Sequence, residues 1–192
     1  MAKRDKVYVM RQAEQLAALS TPIRWQIVET LSVHGPSSVR QLAEHLDRKP
    51  EPLYYHVRAL LSVGLVLVDS KRKANRRAEA VYRLVASHVM VDRKQRSRAY
   101  REALCRSCES FLRLAAREHR AAVERGDLAG EADLRSLMIR RHTGHLTRDG
   151  LRRLNRLLAQ MEELLDKSES VRSSETYALT VVLTPLPANQ TQ

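Results

Sequence analysis

Long apolar runs are missing from this chain. No stretch approaches the roughly 18 residues that a membrane-spanning helix needs. The basic N-terminus MAKRDKVYVMRQAEQ leads into no apolar segment, so neither a membrane partner nor a secretory leader is expected. Cysteine is scarce. The only two, Cys105 and Cys108, do not suggest a disulfide framework, and a reducing cytoplasm is the expected location. Aromatic residues make up 4% of the chain, with one Trp and one Phe, so Leu, Val and Ala must fill any core, which suits helices. Gly and Pro number six each and sit at apparent element boundaries. Catalytic signatures are absent too: there is no GxSxG, no phosphate-binding loop, no dinucleotide glycine fingerprint and no HExxH. The carboxylates, as in Arg117/Glu118 and Glu162/Glu163, read as solvated helix faces. No enzyme and no cofactor are expected.

What is present is charge of one sign. The net charge of +12 favours a polyanionic partner: DNA, RNA or an anionic membrane surface. A hydrophobic content of 43% over 192 residues permits a real core, as one large domain or two small ones.

Apolar positions Val9, Ala13, Leu16 and Leu19 suggest a helix over residues 7–19. Thr21 then Pro22 reads as an N-cap followed by proline at the first helical position. The helix that follows, to His34, places Ile23, Ile27, Val28 and Leu31 on one face, and Gly35 closes it. Arg24 on this helix can make an ion pair within the domain or contact phosphate.

Residues 38–84 form the informative unit. Ser37 or Ser38 caps a short helix with Val39, Leu42, Ala43 and Leu46 inward. DRKPEP makes a turn, because proline at Pro50 and Pro52 is tolerated only near a helix start. The next helix runs to about Val63, with Leu53, Val57, Leu60 and Leu61 as its buried stripe and Gly64 as its end. Its outward face then carries Glu51, Tyr54, Tyr55, Arg58 and His56, side chains able to hydrogen-bond base edges and phosphates. Leu65–Val68 and Val81–Leu84 read as paired strands. Between them Lys71, Arg72, Lys73, Arg76 and Arg77 crowd into seven positions. Such a run is often only a solvated loop. At a hairpin tip after a helix-turn-helix, it can grip phosphate.

After Leu84 the composition shifts. Asp92–Arg125 is one long helical pattern, broken by Gly126 and Gly130. A helix of about 30 residues spans about 45 Å, more than a small head can cover. It calls for a second copy, the C-terminal helix, or both. A strand is expected near Leu137–Arg141, and a helix capped by Thr147 runs to about Lys167. Its seam is Leu151, Leu154, Leu158, Met161 and Leu165. Ser168–Glu175 reads as a loop. Tyr177–Thr184, rich in Val, Thr and Leu, is the strongest strand candidate. Cys105 and Cys108 share one helix face. They are core residues, or, with His119 or His142/His145, part of a redox or metal sensor.

The segments LSTPIRWQIVETL and LYYHVRALLSVGLV resemble the second helix and the recognition helix with first wing strand of ArsR-type winged helix-turn-helix transcriptional regulators. The resemblance covers about residues 7–85. It implies a homodimeric protein that binds double-stranded DNA and regulates transcription, usually as a repressor. By position it implies that Lys49, Glu51, Tyr54, Tyr55 and Arg58 lie on the base- and phosphate-contacting side. Ser38, Arg48 and His56 complete the expected DNA-binding set with the five basic hairpin residues. Metal-sensing members carry a Cys-x-Cys type motif in the helix-turn-helix. No cysteine occurs in residues 1–104 here, so that metal site is not expected.

The expected fold is thus mainly α with small β. A winged helix-turn-helix domain over residues 1–86 precedes a helical dimerisation or effector region, with a small α+β module, over residues 87–192. The expected function is sequence-specific transcriptional regulation. The alternative is a ligand- or redox-responsive sensor whose C-terminal module takes an unknown small-molecule effector.

Overall fold

The computed structural model describes residues 7–74, 77–126, 137–166 and 176–187. It is a mixed α/β protein in which helix predominates. The elements in order are β1 (Val7–Met10), α1 (Ala13–Ala18), α2 (Pro22–His34), β2 (Ser37–Ser38), α3 (Val39–His45), α4 (Pro50–Ser62), β3 (Val66–Ala74), β4 (Arg77–Leu84), β5 (His88–Val91), α5 (Arg98–Arg125) and α6 (Arg148–Asp166). None of the described helices is long and apolar enough to cross a membrane.

The helix expected over residues 7–19 is instead a strand and a shorter helix. Val7, Tyr8 and Val9 favour a pleated backbone, and β1 pairs in parallel with β5, Val7 opposite His88 and Met10 opposite Val91. Gln15, the third residue of α1, then caps the start of that helix. Its buried side-chain oxygen accepts from the Arg11 and Gln12 amides, and its amide group donates to Tyr8 Oη (2.7 Å) and the Val63 carbonyl. One satisfied polar side chain thereby joins β1, α1 and the end of α4.

The second sheet has the order β2-β4-β3 and is antiparallel throughout. Ser37 and Ser38 face Tyr82 and Val81, and Val66 faces Leu84. The hairpin strands are longer than the expected 65–68 and 81–84, and a bulge lies between Val68 and Ser70. Leu16, Leu19, Ile27, Leu42, Leu53, Leu60 and Leu65 are among the fully buried side chains that the helices share with the sheet.

The chain divides into two compact units, residues 1–118 and 119–192. The expected boundary at 86 falls inside the first. Its cause is α5, whose Tyr100, Ala103, Ser107, Ser110 and Leu114 are buried. Tyr100 Oη donates to the Met10 carbonyl (2.7 Å) and accepts from the Asp92 amide (2.8 Å). Further along, the Phe111 ring packs on Trp25 of α2 with centroids 5.0 Å apart. In the second unit, Thr147 caps α6 as expected, its hydroxyl accepting from the Gly150 amide at 3.1 Å. Residues 137–147 and 176–187 are irregular, so neither expected C-terminal strand forms. β-propensity reports only fitness for a pleated surface, and a strand also needs a neighbour. The expected loop 168–175 and the break at Gly130 lie outside the described residues.

Two measurements check the first unit. Tyr100→Phe removes both bonds, while the Asp92 amide keeps its own 3.2 Å bond to the Met10 carbonyl, so chemical denaturation should show a loss of about 0.5–1.5 kcal/mol. Glu29 of α2 is pushed from the usual 4.5 to about 7, by burial first and by the Glu118 carboxylate second. Burial raises Glu118 too, but Arg117 and a hydrogen bond from Gln26 favour its charged form, so Glu29 keeps the proton longer. The unfolded chain therefore releases the Glu29 proton first, and stability falls as pH rises from about 4.5 to about 7. Glu29→Gln should remove that fall. It should gain about 1–2 kcal/mol at pH 8, allowing for solvent screening of a half-buried group, and nothing at pH 4.

Candidate nucleic-acid interface

The candidate interface is built from α3, α4 and the β3–β4 hairpin. Ser38 caps α3: its hydroxyl accepts from the Gln41 amide, while Gln41 Oε1 accepts from the Ser38 amide. After α3 the chain reverses through Asp47, which adopts the left-handed region (φ 48), with the Arg48 amide bonded to the Ala43 carbonyl. Lys49 is extended, as a residue before proline must be, and Pro50 opens α4. Leu53, Val57 and Leu60 point into the core. At the far end, Gly64 takes φ 72, and Gly64 and Leu65 donate back to Leu61 and Leu60.

With that stripe buried, Glu51, Tyr54, Tyr55 and Arg58 all face solvent, Tyr54 at 43% and Tyr55 at 67% exposure. Arg48 and Lys49 are exposed at the helix start, where with Arg40 and Glu44 they line a shallow groove of about 600 Å³. His56 is half-buried. Burial, then the Arg24 and Arg48 charges, hold its pKa below the usual 6.5, and Nδ1 has no partner among the described residues. Arg24 makes no ion pair among the described residues. It donates to the Ala18 carbonyl (2.8 Å) and lies over the Tyr55 ring at 5.9 Å.

The hairpin differs from the expected basic loop. Lys71, Arg72 and Lys73 lie in β3 and Arg77 in β4. Lys71 is exposed. Arg72 faces Glu79 across the strands, 3.5 Å away, and donates to Ser38 Oγ at 3.4 Å. Arg40 of α3 also approaches Glu79, at 3.9 Å. Ser38 itself is fully buried, which removes it from the contact surface and leaves it a capping role. The side chains of Lys73 and Arg77, and all of Arg76, lie outside the described residues.

Residues 19–85 match a protein family described as HVO_A0114. The match covers about a third of the chain, from the end of α1 to the end of β4, and the description names no activity. No curated protein matches the chain.

Three residues of this surface escape sequence reasoning. Tyr82 of β4 lies beside Tyr54 and Arg58: burial first, then Tyr54, raise its hydroxyl pKa, while Arg58 lowers it. Arg40 and Glu79 set the position of Arg72. Strand pairing and the packing of α3 and α4 on the sheet bring these contacts about, and the spacing of residues 40, 79 and 82 carries no local sign of them. On α5, Cys105 is exposed and Cys108 half-buried, both as free thiols. Among the described residues, no group of three His, Cys, Asp or Glu is placed to hold a metal ion.

The electrostatics of His56 can be read directly. Its imidazole should titrate below pH 6.5 in an NMR series and stay neutral at pH 7. Arg48→Ala should move the midpoint upward.

Proposed function

We propose that this protein is a sequence-specific DNA-binding transcriptional regulator of the winged helix-turn-helix kind. It acts in the cytoplasm as a homodimer, and most plainly as a repressor. The observation that carries this reading is the face of α4: Tyr54, Tyr55 and Arg58 stand exposed on one side of a helix whose other side is fixed in the core. A rigid helix with Tyr and Arg outward suits readout of base edges in the major groove. Lys71 and Arg72 on the adjoining hairpin, with Arg48 and Lys49 at the start of α4, supply cations for flanking phosphates. The net charge of +12 is in keeping with such a partner. Resemblance to ArsR-type regulators points the same way. Tyr82 joins the reading surface through its place beside Tyr54 and Arg58.

Sequence selection from a random or genomic DNA pool, followed by polarisation titrations over a salt series, tests this. An enriched site is expected, bound more tightly than bulk DNA. Lys71→Ala and Arg72→Ala should weaken binding to every sequence and lower the salt slope by about 1 each. Tyr54→Ala and Arg58→Ala should change which bases are preferred, with a cost of about 1–3 kcal/mol at the affected positions. Equal affinity for all duplexes at every salt concentration would leave only a charge-driven nucleic-acid binder.

A further inference from the structure

Helix α6 carries an exposed apolar stripe. Its seam residues Leu151, Leu154, Leu158, Met161 and Leu165 follow the alternating spacing of three and four that defines positions a and d of a heptad. Leu157 and Leu164 widen the stripe on one side. The stripe is open: Leu151, Leu157, Met161 and Leu164 are exposed by 40–74%, and Leu154 and Leu158 are only half-buried. Apolar patches beyond a few hundred Å² are uncommon on monomers and mark association surfaces.

The occupant is indicated by charge. The first half of α6 carries Arg148, Arg152, Arg153 and Arg156 with one carboxylate, Asp149, bonded to Arg152, and the charged residues of the second half are Glu162, Glu163 and Asp166. Two copies running in the same direction would set the basic halves side by side and offer Arg148 and Glu162 no opposite charge across the seam. Two copies in opposite directions would set the basic half of each against the acidic half of the other. The heptad register sharpens this, because the edge beside the seam at position e is Arg148, Asn155 and Glu162. A two-fold axis near Asn155 brings Arg148 to the partner's Glu162, Glu162 to the partner's Arg148, and Asn155 to its own copy. The same axis layers Leu151 on the partner's Met161 and Leu154 on the partner's Leu158, and Leu157 meets itself. Self-complementarity of this kind is what an isologous interface requires. A helix of 19 residues is about 28 Å long. Such a pair approaches the smaller stable interfaces, at about 1,200 Å² in total.

We propose that α6 is the self-association surface of this protein, pairing with α6 of a second copy as an antiparallel two-stranded coiled coil. This deepens the dimer reading given above. Its test uses no DNA, so it can fail while DNA binding stands, and the reverse.

The test is the mass of the full chain in solution, by sedimentation equilibrium or light scattering over a dilution series. A dimer of twice 22.0 kDa is expected. Arg148→Glu alone and Glu162→Arg alone each create two like-charge contacts across the axis, and each should raise the dimer dissociation constant about tenfold at low salt. The double variant R148E/E162R reverses both ends and should return close to the wild-type value. Both positions are exposed, so folding should be unaffected. Leu154→Glu with Leu158→Glu should yield a monomer whose helical circular dichroism and first-unit unfolding are retained. Three results overturn the proposal. They are a wild-type monomer at every concentration, a dimer indifferent to the single charge changes, and single changes that the double variant does not rescue.

Discussion

The DNA-facing reading depends on one constraint: Leu53, Val57 and Leu60 must be buried together. They recur at spacings of four and three, so only a helix places them on one stripe. Each contributes about 1.5–3 kcal/mol by leaving water, far more than any single surface contact. That burial fixes the rotation of α4 about its axis. Tyr54, Tyr55 and Arg58 are outward as a consequence, because no other face remains for them. The turn through Asp47 and the closure at Gly64 then fix where α4 begins and ends.

A second constraint holds the first in place. α4 needs a core to pack against, and α1, α2 and the hairpin complete it only when both chain ends of the unit are tied down. The β1–β5 pair joins residues 7–10 to residues 88–91, and Tyr100 bonds to both Met10 and Asp92. α5 is therefore part of the same body for its first two-thirds, through Tyr100, Ala103, Ser107 and Leu114. Set in so continuous a core, α4 presents its side chains in one geometry, which under the DNA-binding reading is the condition for discriminating between bases.

Much of this was legible in the sequence, for local reasons. Pro22 and Pro50 mark helix starts, Gly35 and Gly64 helix ends, and the apolar spacing of α2, α3, α4 and α6 gives their faces. Each signal acts within a turn or two of helix. What escaped reading is non-local. β1 and β5 hold four residues each and exist because they pair across about eighty intervening positions. The segment 177–184 has the composition of a strand, yet it is irregular here, because composition cannot supply a partner. Ser38 has the chemistry of a phosphate contact and also that of a helix cap. Its burial beneath the Gln41 capping pair decides between them.

The hairpin shows how little a count of cations says about available charge. Arg72 and Arg40 both lie within 4 Å of Glu79, whose side chain is only 13% exposed. A carboxylate that has given up most of its water is favoured by two guanidinium groups, and they in turn are held by it. A phosphate arriving at this corner must compete with Glu79 for Arg72, so the field there is that of two cations and one anion. Lys71, one residue earlier and exposed, has no such constraint among the charged groups resolved around Glu79. Under the DNA-binding reading, Lys71 contributes affinity without orientation. Arg72, held to the sheet by Glu79 and Ser38, contributes orientation at some cost in affinity. On that reading, alternation along a strand gives two adjacent cations different roles toward one phosphate backbone.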